Sequence, residues 1–161
     1  MAMVNPANTL ATGPASTTSR RSRTVGEAIR HVGRWALGAA LIGAGVGHLT
    51  AMRQEFQAQV PGWVPLDPDF VVLASGVVEI GLGAALIFAP LKFRPAVGWV
   101  TAAFFVAIFP GNISQYVTGT DAFGLDTDRD RFIRLFFQPV LVAWALWSTG
   151  AWRSLRDRNK S

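Results

Sequence analysis

The stretch FVVLASGVVEIGLGAALIFAPL, from Phe70 to Leu91, decides the fold. It is uncharged except at Glu79. About 20 apolar residues rising about 1.5 Å each suffice to cross a hydrocarbon core of about 30 Å, so the stretch predicts a membrane-spanning helix. A carboxylate inside such a span costs about 2.5–3.5 kcal/mol on insertion scales, which makes an intramembrane acid a candidate functional group. The rest of the sequence reads as the surroundings that make Glu79 tolerable.

Composition agrees with a membrane protein. Half of the 161 residues are apolar and 16% are charged, against about 25% charged in soluble domains. The net charge of +5 gathers at the ends of apolar runs rather than on one face, so it speaks to topology and not to nucleic acid. There is no cysteine, which removes disulfides, thiol redox chemistry and thiolate metal sites from this chain.

Outward from the central stretch, the chain predicts an all-α, four-transmembrane-helix bundle. Residues 1–24, rich in Ala, Thr, Ser, Asn and Pro, are expected to form a disordered tail ending in Arg20, Arg21 and Arg23. Residues 25–152 form the transmembrane domain, with spans at about 32–51, 70–91, 95–113 and 131–152, and 153–161 form a basic tail. The arginines read as a cytoplasmic anchor; an export signal is disfavoured by Glu27, Arg30 and His31 directly after them. In the first span, Ala36, Ala40 and Ala44 recur at four-residue spacing before His48, and Gly43 and Gly47 form a second small pair. Such faces let helices approach closely, which is packing rather than chemistry. Pro110 should kink or end the third span.

Four spans place eleven of the basic residues at the two termini and the Lys92–Arg94 turn, and leave Arg53, Arg129, Arg131 and Arg134 with seven acids on the other side. The positive-inside rule then puts both termini in the cytoplasm. Asp121, Asp126, Asp128 and Asp130 form an acidic outer loop; it lacks the Gly and Glu positions of a calcium loop. No metal site is expected. His31 and His48 lie about 26 Å apart on one helix, too far to clamp one haem, and no hydrolase, phosphate-loop or dinucleotide motif occurs. An autonomous enzyme is not expected.

In this orientation the intramembrane polar residues fall in the outer half of the bilayer: His48 at the end of the first span, Asn112 and Gln115 at the end of the third, and Arg134 and Gln138 in the fourth. Glu79 lies about 13 Å below Phe70, and Arg134 and Gln138 about 5 and 10 Å below Arg131, so Glu79 is expected to meet Arg134 or Gln138. Pro61, Trp63 and Pro65 mark an interfacial loop over this cluster. The cluster is either a ligand or proton site or a hydrogen-bond network that fixes helix packing.

Several segments together carry a resemblance. They are Gly45-Val46-Gly47-His48, Val60-Pro61-Gly62-Trp63-Val64-Pro65, Ser75-Gly76 with Glu79 and Gly83, Phe109-Pro110-Gly111-Asn112-Ile113, and Arg134 with Gln138-Pro139. From Arg34 to Gly150 the chain resembles the DoxX family of small four-span bacterial membrane proteins, departing at Leu49, where Phe often stands, and at Gly111, where Ala is common. The resemblance implies a four-helix bundle in the bacterial inner membrane. Some relatives are subunits of quinone-linked sulfur oxidation, another is associated with a thiol-oxidative-stress complex, and distant ones help receptors assemble.

The expected function is an anchor or accessory subunit that binds a small amphipathic molecule, a quinone by expectation, beside a redox-protein partner. His48, Glu79, Asn112, Gln115, Arg134 and Gln138 would form the site. The alternative is a non-enzymatic scaffold or assembly factor, in which the same cluster only holds the bundle together. The bilayer is the expected environment, and a homo-oligomer is compatible with the small-residue faces.

Overall fold

The computed structural model of the chain describes residues 15–158, with side chains described over 25–154. The order is α1 (Ala15–Leu49), α2 (Arg53–Gln57), α3 (Pro68–Phe88), a short 3-10 turn (Leu91–Phe93), α4 (Arg94–Thr118), α5 (Asp128–Thr149) and α6 (Ala151–Arg158). Among the described residues there is no strand. Three segments are long and apolar enough to cross a membrane: Pro68–Phe88, Leu91–Thr118 and Asp128–Thr149.

The helix ends follow from local chemistry. Asp67 accepts a hydrogen bond from the Phe70 amide at 3.1 Å and Pro68 occupies the first turn, which starts α3. Thr127 starts α5 in the same way, accepting from the Asp130 amide at 3.1 Å. Gly119 and Gly150 close α4 and α5 with positive φ of 64° and 75°, where a side chain would be strained.

Three boundaries differ from expectation. Helix α1 begins at Ala15 and so runs through Arg20, Arg21 and Arg23, a stretch expected to be disordered; no proline or glycine interrupts it between Pro14 and Gly26. Residues 1–14 of the expected tail lie outside the described residues, as does Lys160. Helix α4 continues past Pro110 to Thr118, five residues beyond the expected end of the span, because the helix resumes after the one missing amide donor. The expected fourth span at 131–152 is instead broken at Gly150, and the basic segment after it is the helix α6.

The bundle is built from two close pairs, α1 with α3 and α4 with α5. α1 meets α5 less extensively, and α3 meets α4 less still, although they are consecutive. The first pair depends on glycine. A Cβ at Gly45 would lie 2.5 Å from the Gly76 carbonyl oxygen, and one at Gly83 would lie 2.5 Å from the Gly38 carbonyl oxygen. Backbone therefore touches backbone, the contact that small-residue faces permit. Leu37, Leu41, Leu86, Phe105, Ala145 and Leu146 form the core between the pairs.

Polarity is inverted relative to a water-soluble domain. Val77, Phe88, Val100, Val106, Phe136 and Phe137 are exposed, while Arg34, His48, Glu79, Asn112, Gln115 and Gln138 are buried. An exposed apolar surface of this kind is the arrangement for hydrocarbon as solvent. Arg34 shows how one buried charge is satisfied. It donates to the carbonyl oxygens of Leu86 and, at 3.2 Å, Ile87, while Arg94 donates to Ala89 at 3.3 Å. The two guanidinium groups occupy the negative end of α3 and its otherwise unpaired carbonyls.

Gly45→Ala is expected to destabilise the bundle by about 1–3 kcal/mol, the usual range for overpacking. Gly81→Ala, where an added Cβ would meet nothing within 4 Å, is expected to be neutral or slightly stabilising. Equilibrium unfolding in mixed micelles checks both; equal effects would refute the close-contact account of the α1–α3 pair.

Candidate functional site

A cavity of about 640 Å³ lies between the helix pairs, within the range of small-molecule sites. Helix α1 contributes Leu37, Leu41, Ala44 and His48, α3 contributes Val72, Ser75 and Glu79, and α4 contributes Phe105, Ile108 and Asn112. Helix α5 contributes Arg134, Gln138 and Leu141, and the segment after α2 contributes Gln59, Val60, Pro61, Trp63 and Val64. Most of the wall is apolar, and its polar groups fall into three sets.

The first set is Glu79 with His48 and Ser75. The α1–α3 glycine contacts set this geometry, because they hold the Ser75–Glu79 stripe of α3 against the His48 turn of α1. His48 Nδ1 stands 3.3 Å from Glu79 Oε2, within ion-pair reach. The alignment is too poor for a hydrogen bond, and Glu79 Oε2 has no hydrogen-bond partner among the described residues. Ser75 Oγ lies 3.4 Å from the same His48 nitrogen but donates to the Val72 carbonyl at 2.9 Å. The imidazole is held edge-on by Phe56, with ring centroids 3.5 Å apart. Glu79 is only 4% exposed and lines the cavity, with Oε2 enclosed beside His48.

The second set is Arg134 with Gln59. With its amide oxygen turned to the guanidinium, Gln59 accepts from Arg134 Nη2 at 3.2 Å and Nε at 3.3 Å, and the guanidinium stands 5.2 Å from the centre of the Phe123 ring. Among the described residues it has no carboxylate partner. A cation over an aromatic face gains about 0.5–2 kcal/mol, which compensates only part of the loss of water. The Gln59 amide also contacts the Gln115 amide at 2.6 Å, and Gln115 donates to the carbonyls of Thr120 and Ala122, both at 3.4 Å.

The third set is closed on itself. Asn112 Nδ2 donates to Gln138 Oε1 at 3.0 Å, and Gln138 Nε2 donates to the Phe105 carbonyl at 2.6 Å. That carbonyl adjoins the turn of α4 in which Pro110 withholds an amide donor. The pair ties α5 to α4 beside the irregularity.

The expected meeting of Glu79 with Arg134 or Gln138 is therefore corrected. Glu79 faces His48, because α3 packs directly on α1 and the cavity separates it from α5. His48, Glu79, Asn112, Arg134 and Gln138 all line the cavity; Gln115 stands behind Gln59. Pro61 is buried in the cavity wall and Trp63 lines it with most of its surface exposed, whereas Pro65 is exposed and does not line it.

A roof of residues not anticipated from the sequence covers one end. The Phe123 amide donates to Glu55 Oε2 at 2.6 Å, and its ring meets Phe56 with centroids 4.6 Å apart. Phe123 holds a positive φ of 58°, a conformation costly for a bulky side chain and sustained here by those contacts. Arg53 pairs with Asp69, to which Gln57 also donates at 2.5 Å. That hydrogen-bonded carboxylate holds the Arg53 guanidinium above its usual pKa. Two of the loop aspartates serve Arg131, which bonds Asp121 at 2.7 Å and Asp128 at 3.1 Å. Among the described residues, no group of three or more His, Asp or Glu side chains could hold a metal ion.

Residues 37–149 match the family described as "Domain of unknown function (DUF8561)", and the chain belongs to that family. No curated protein and no solved structure matches.

Gln138→Leu is expected to cost about 1–3 kcal/mol, because it leaves the Asn112 amide buried without its partner. Adding Asn112→Leu should recover part of that loss, since both partners are then apolar. A double-mutant cycle from unfolding in mixed micelles reads the coupling; strictly additive losses would show that the pair does not act as a unit.

Proposed function

We propose that this member of the DUF8561 family is a membrane subunit that binds a small amphipathic molecule in the cavity facing Glu79. The observation that carries the reading is the Glu79 carboxyl group, 4% exposed and with Oε2 lacking a hydrogen-bond partner among the described residues, on a side chain that lines a cavity large enough for a ligand. An unmet buried polar atom costs about 1–3 kcal/mol, more if charged, and a bound polar head would remove that cost. Arg134, which has no carboxylate partner among the described residues, supplies donors from the opposite wall.

A quinone suits this set of groups. Its carbonyl oxygens accept hydrogen bonds, which Arg134 can donate, and its ring and tail suit the apolar wall. His48 and Glu79 are placed to exchange protons or hydrogen bonds with such a head. A bound quinone would supply the electron-transfer chemistry; the chain's own residues hold and orient it. The resemblance to DoxX proteins points the same way, toward an anchor subunit for a redox partner in a bacterial inner membrane.

The proposal includes four crossings with both termini in the cytoplasm. Helix α1 adds the first crossing to the three apolar helices. Its support is the length of the α1–α3 contact from Gly38–Gly83 to Gly45–Gly76, which matches α1 to a span-length partner. The basic segments at both termini and at Lys92–Arg94 support the orientation. A scaffold role has one specific observation behind it, the self-contained Asn112–Gln138–Phe105 network.

Native mass spectrometry from lipid nanodiscs tests the reading. The wild-type chain is expected to carry an extractable quinone, and Glu79→Gln to lose it with an unchanged melting temperature. Wild-type and variant protein equally free of quinone, with the variant less stable, would contradict ligand binding and favour the scaffold.

A further inference from the structure

The cavity has a side opening whose position restricts how a ligand reaches it. Helices α1 and α5 meet closely near one end, where Trp144 Nε1 donates to the Gly33 carbonyl at 3.0 Å. A Cβ at Gly33 would stand 2.9 Å from the Trp147 ring. Farther along α1, its cavity wall toward α5 consists of Ala40, Gly43 and Ala44. Ala40 and Gly43 are exposed, and a Cβ at Gly43 would meet nothing within 4 Å. Across the gap, Leu141 lines the cavity while Phe137 is 60% exposed. Gly43 lies about 9 Å along the axis from the end of α1, which is hydrocarbon depth rather than headgroup depth in a spanning helix.

Two other walls are firmer, while the sparse α3–α4 side, with exposed Ala107 and Pro110 beside Trp63, is a second place where the cavity nears the surface. Backbone contacts between glycines and carbonyls close the α1–α3 side. The Glu55–Phe123, Phe56–Phe123 and Gln59–Gln115 contacts cover the end that faces the loops. The small residues would be mere packing if the space behind them held nothing that calls for a ligand. It holds the Glu79 side chain, 4% exposed, whose carboxyl group has an oxygen without a hydrogen-bond partner among the described residues.

We propose that the cavity is loaded sideways, through a window between α1 and α5 at Ala40, Gly43 and Ala44. Its ligand is then a molecule dissolved in the bilayer, with a hydrogen-bonding head that reaches Glu79 and an apolar tail that stays in the window. This rests on the reading of the cavity as a ligand site and extends it to the route and the class of ligand. A water-soluble ligand without a tail would have to cross either the loop roof or the hydrocarbon itself.

The chain has no cysteine, so one introduced thiol reports on the cavity alone. Ser75→Cys places it on the cavity wall beside His48. In vesicles, a membrane-dissolved N-alkylmaleimide is expected to label it, while a permanently charged methanethiosulfonate confined to water is not. Adding Gly43→Trp, which fills the window without a backbone clash, should slow maleimide labelling by about tenfold, equivalent to about 1.4 kcal/mol of barrier. Gly81→Trp, also in open space but outside the cavity, should leave it within about twofold. Gly43→Leu serves if the Trp variant does not insert.

Rapid labelling from water, or labelling indifferent to the residue at 43, would overturn the window. So would a wild-type window so covered by a second copy that neither reagent reacts until the protein is unfolded. Labelling needs no native ligand, so absence of a co-purified quinone would count against the functional reading while leaving the window to stand or fall by these rates.

Discussion

The close approach of α1 to α3 is the constraint on which the rest of the site depends. With Gly45 against the Gly76 carbonyl and Gly83 against the Gly38 carbonyl, the helices meet through their backbones. That contact fixes the rotation of α3 about its own axis. Ser75 and Glu79 must then stand beside His48 and cannot turn to α5. The second pair, α4 with α5, is held separately by the core and by the Asn112–Gln138 bond. Between two pairs that are each closely packed, the unfilled space becomes the cavity.

The buried polar groups divide according to whether they are satisfied. Arg34 is bonded to the end of α3, Arg131 to Asp121 and Asp128, and Gln138 to Asn112 and Phe105. These groups stabilise local structure through specific partners, although Arg131 Nε, like Thr101 Oγ1, has none among the described residues. Glu79 and Arg134 differ. One has an oxygen without a hydrogen-bond partner, and the other has a neutral amide and an aromatic face in place of a carboxylate, among the described residues. Both border the same space, one from α3 and the other from α5. An enclosed carboxyl oxygen left unmet in a low-dielectric interior is costly, and Glu79 combines that state with a place on the cavity wall.

Much of the helical plan was legible because it follows from periodicity and end signals. The Phe70–Leu91 run was read directly, whereas the Asp67-Pro68 start of α3 and the Gly150 stop of α5, though each has a local cause, were passed over by spans set at 70 and 152. The polar residues could be placed at a common depth by counting rise per residue, and the cavity does gather His48, Glu79, Asn112, Arg134 and Gln138. Their pairing was not legible. Depth along an axis says nothing about rotation around it, and rotation is set by which glycines find which carbonyls across the pair. Gln59, Phe56 and Phe123 were missed for a different reason. They act from α2 and irregular segments, where no period exists and where a left-handed phenylalanine has no sequence signal. The aspartates after Gly119 looked like a solvated loop, yet two of them serve Arg131, Asp128 at i,i+3 spacing on α5 and Asp121 from the loop before it.

The central claim is that Glu79 contacts a ligand rather than only its own bundle. A crystal structure of the wild-type chain grown from a lipid mesophase, without added quinone, measures this most directly. The account predicts elongated density in the cavity, its polar head about 2.7–3.2 Å from Glu79 Oε2 and its tail leading toward Gly43. A cavity holding only ordered water that bridges Glu79 to neighbouring side chains would contradict it.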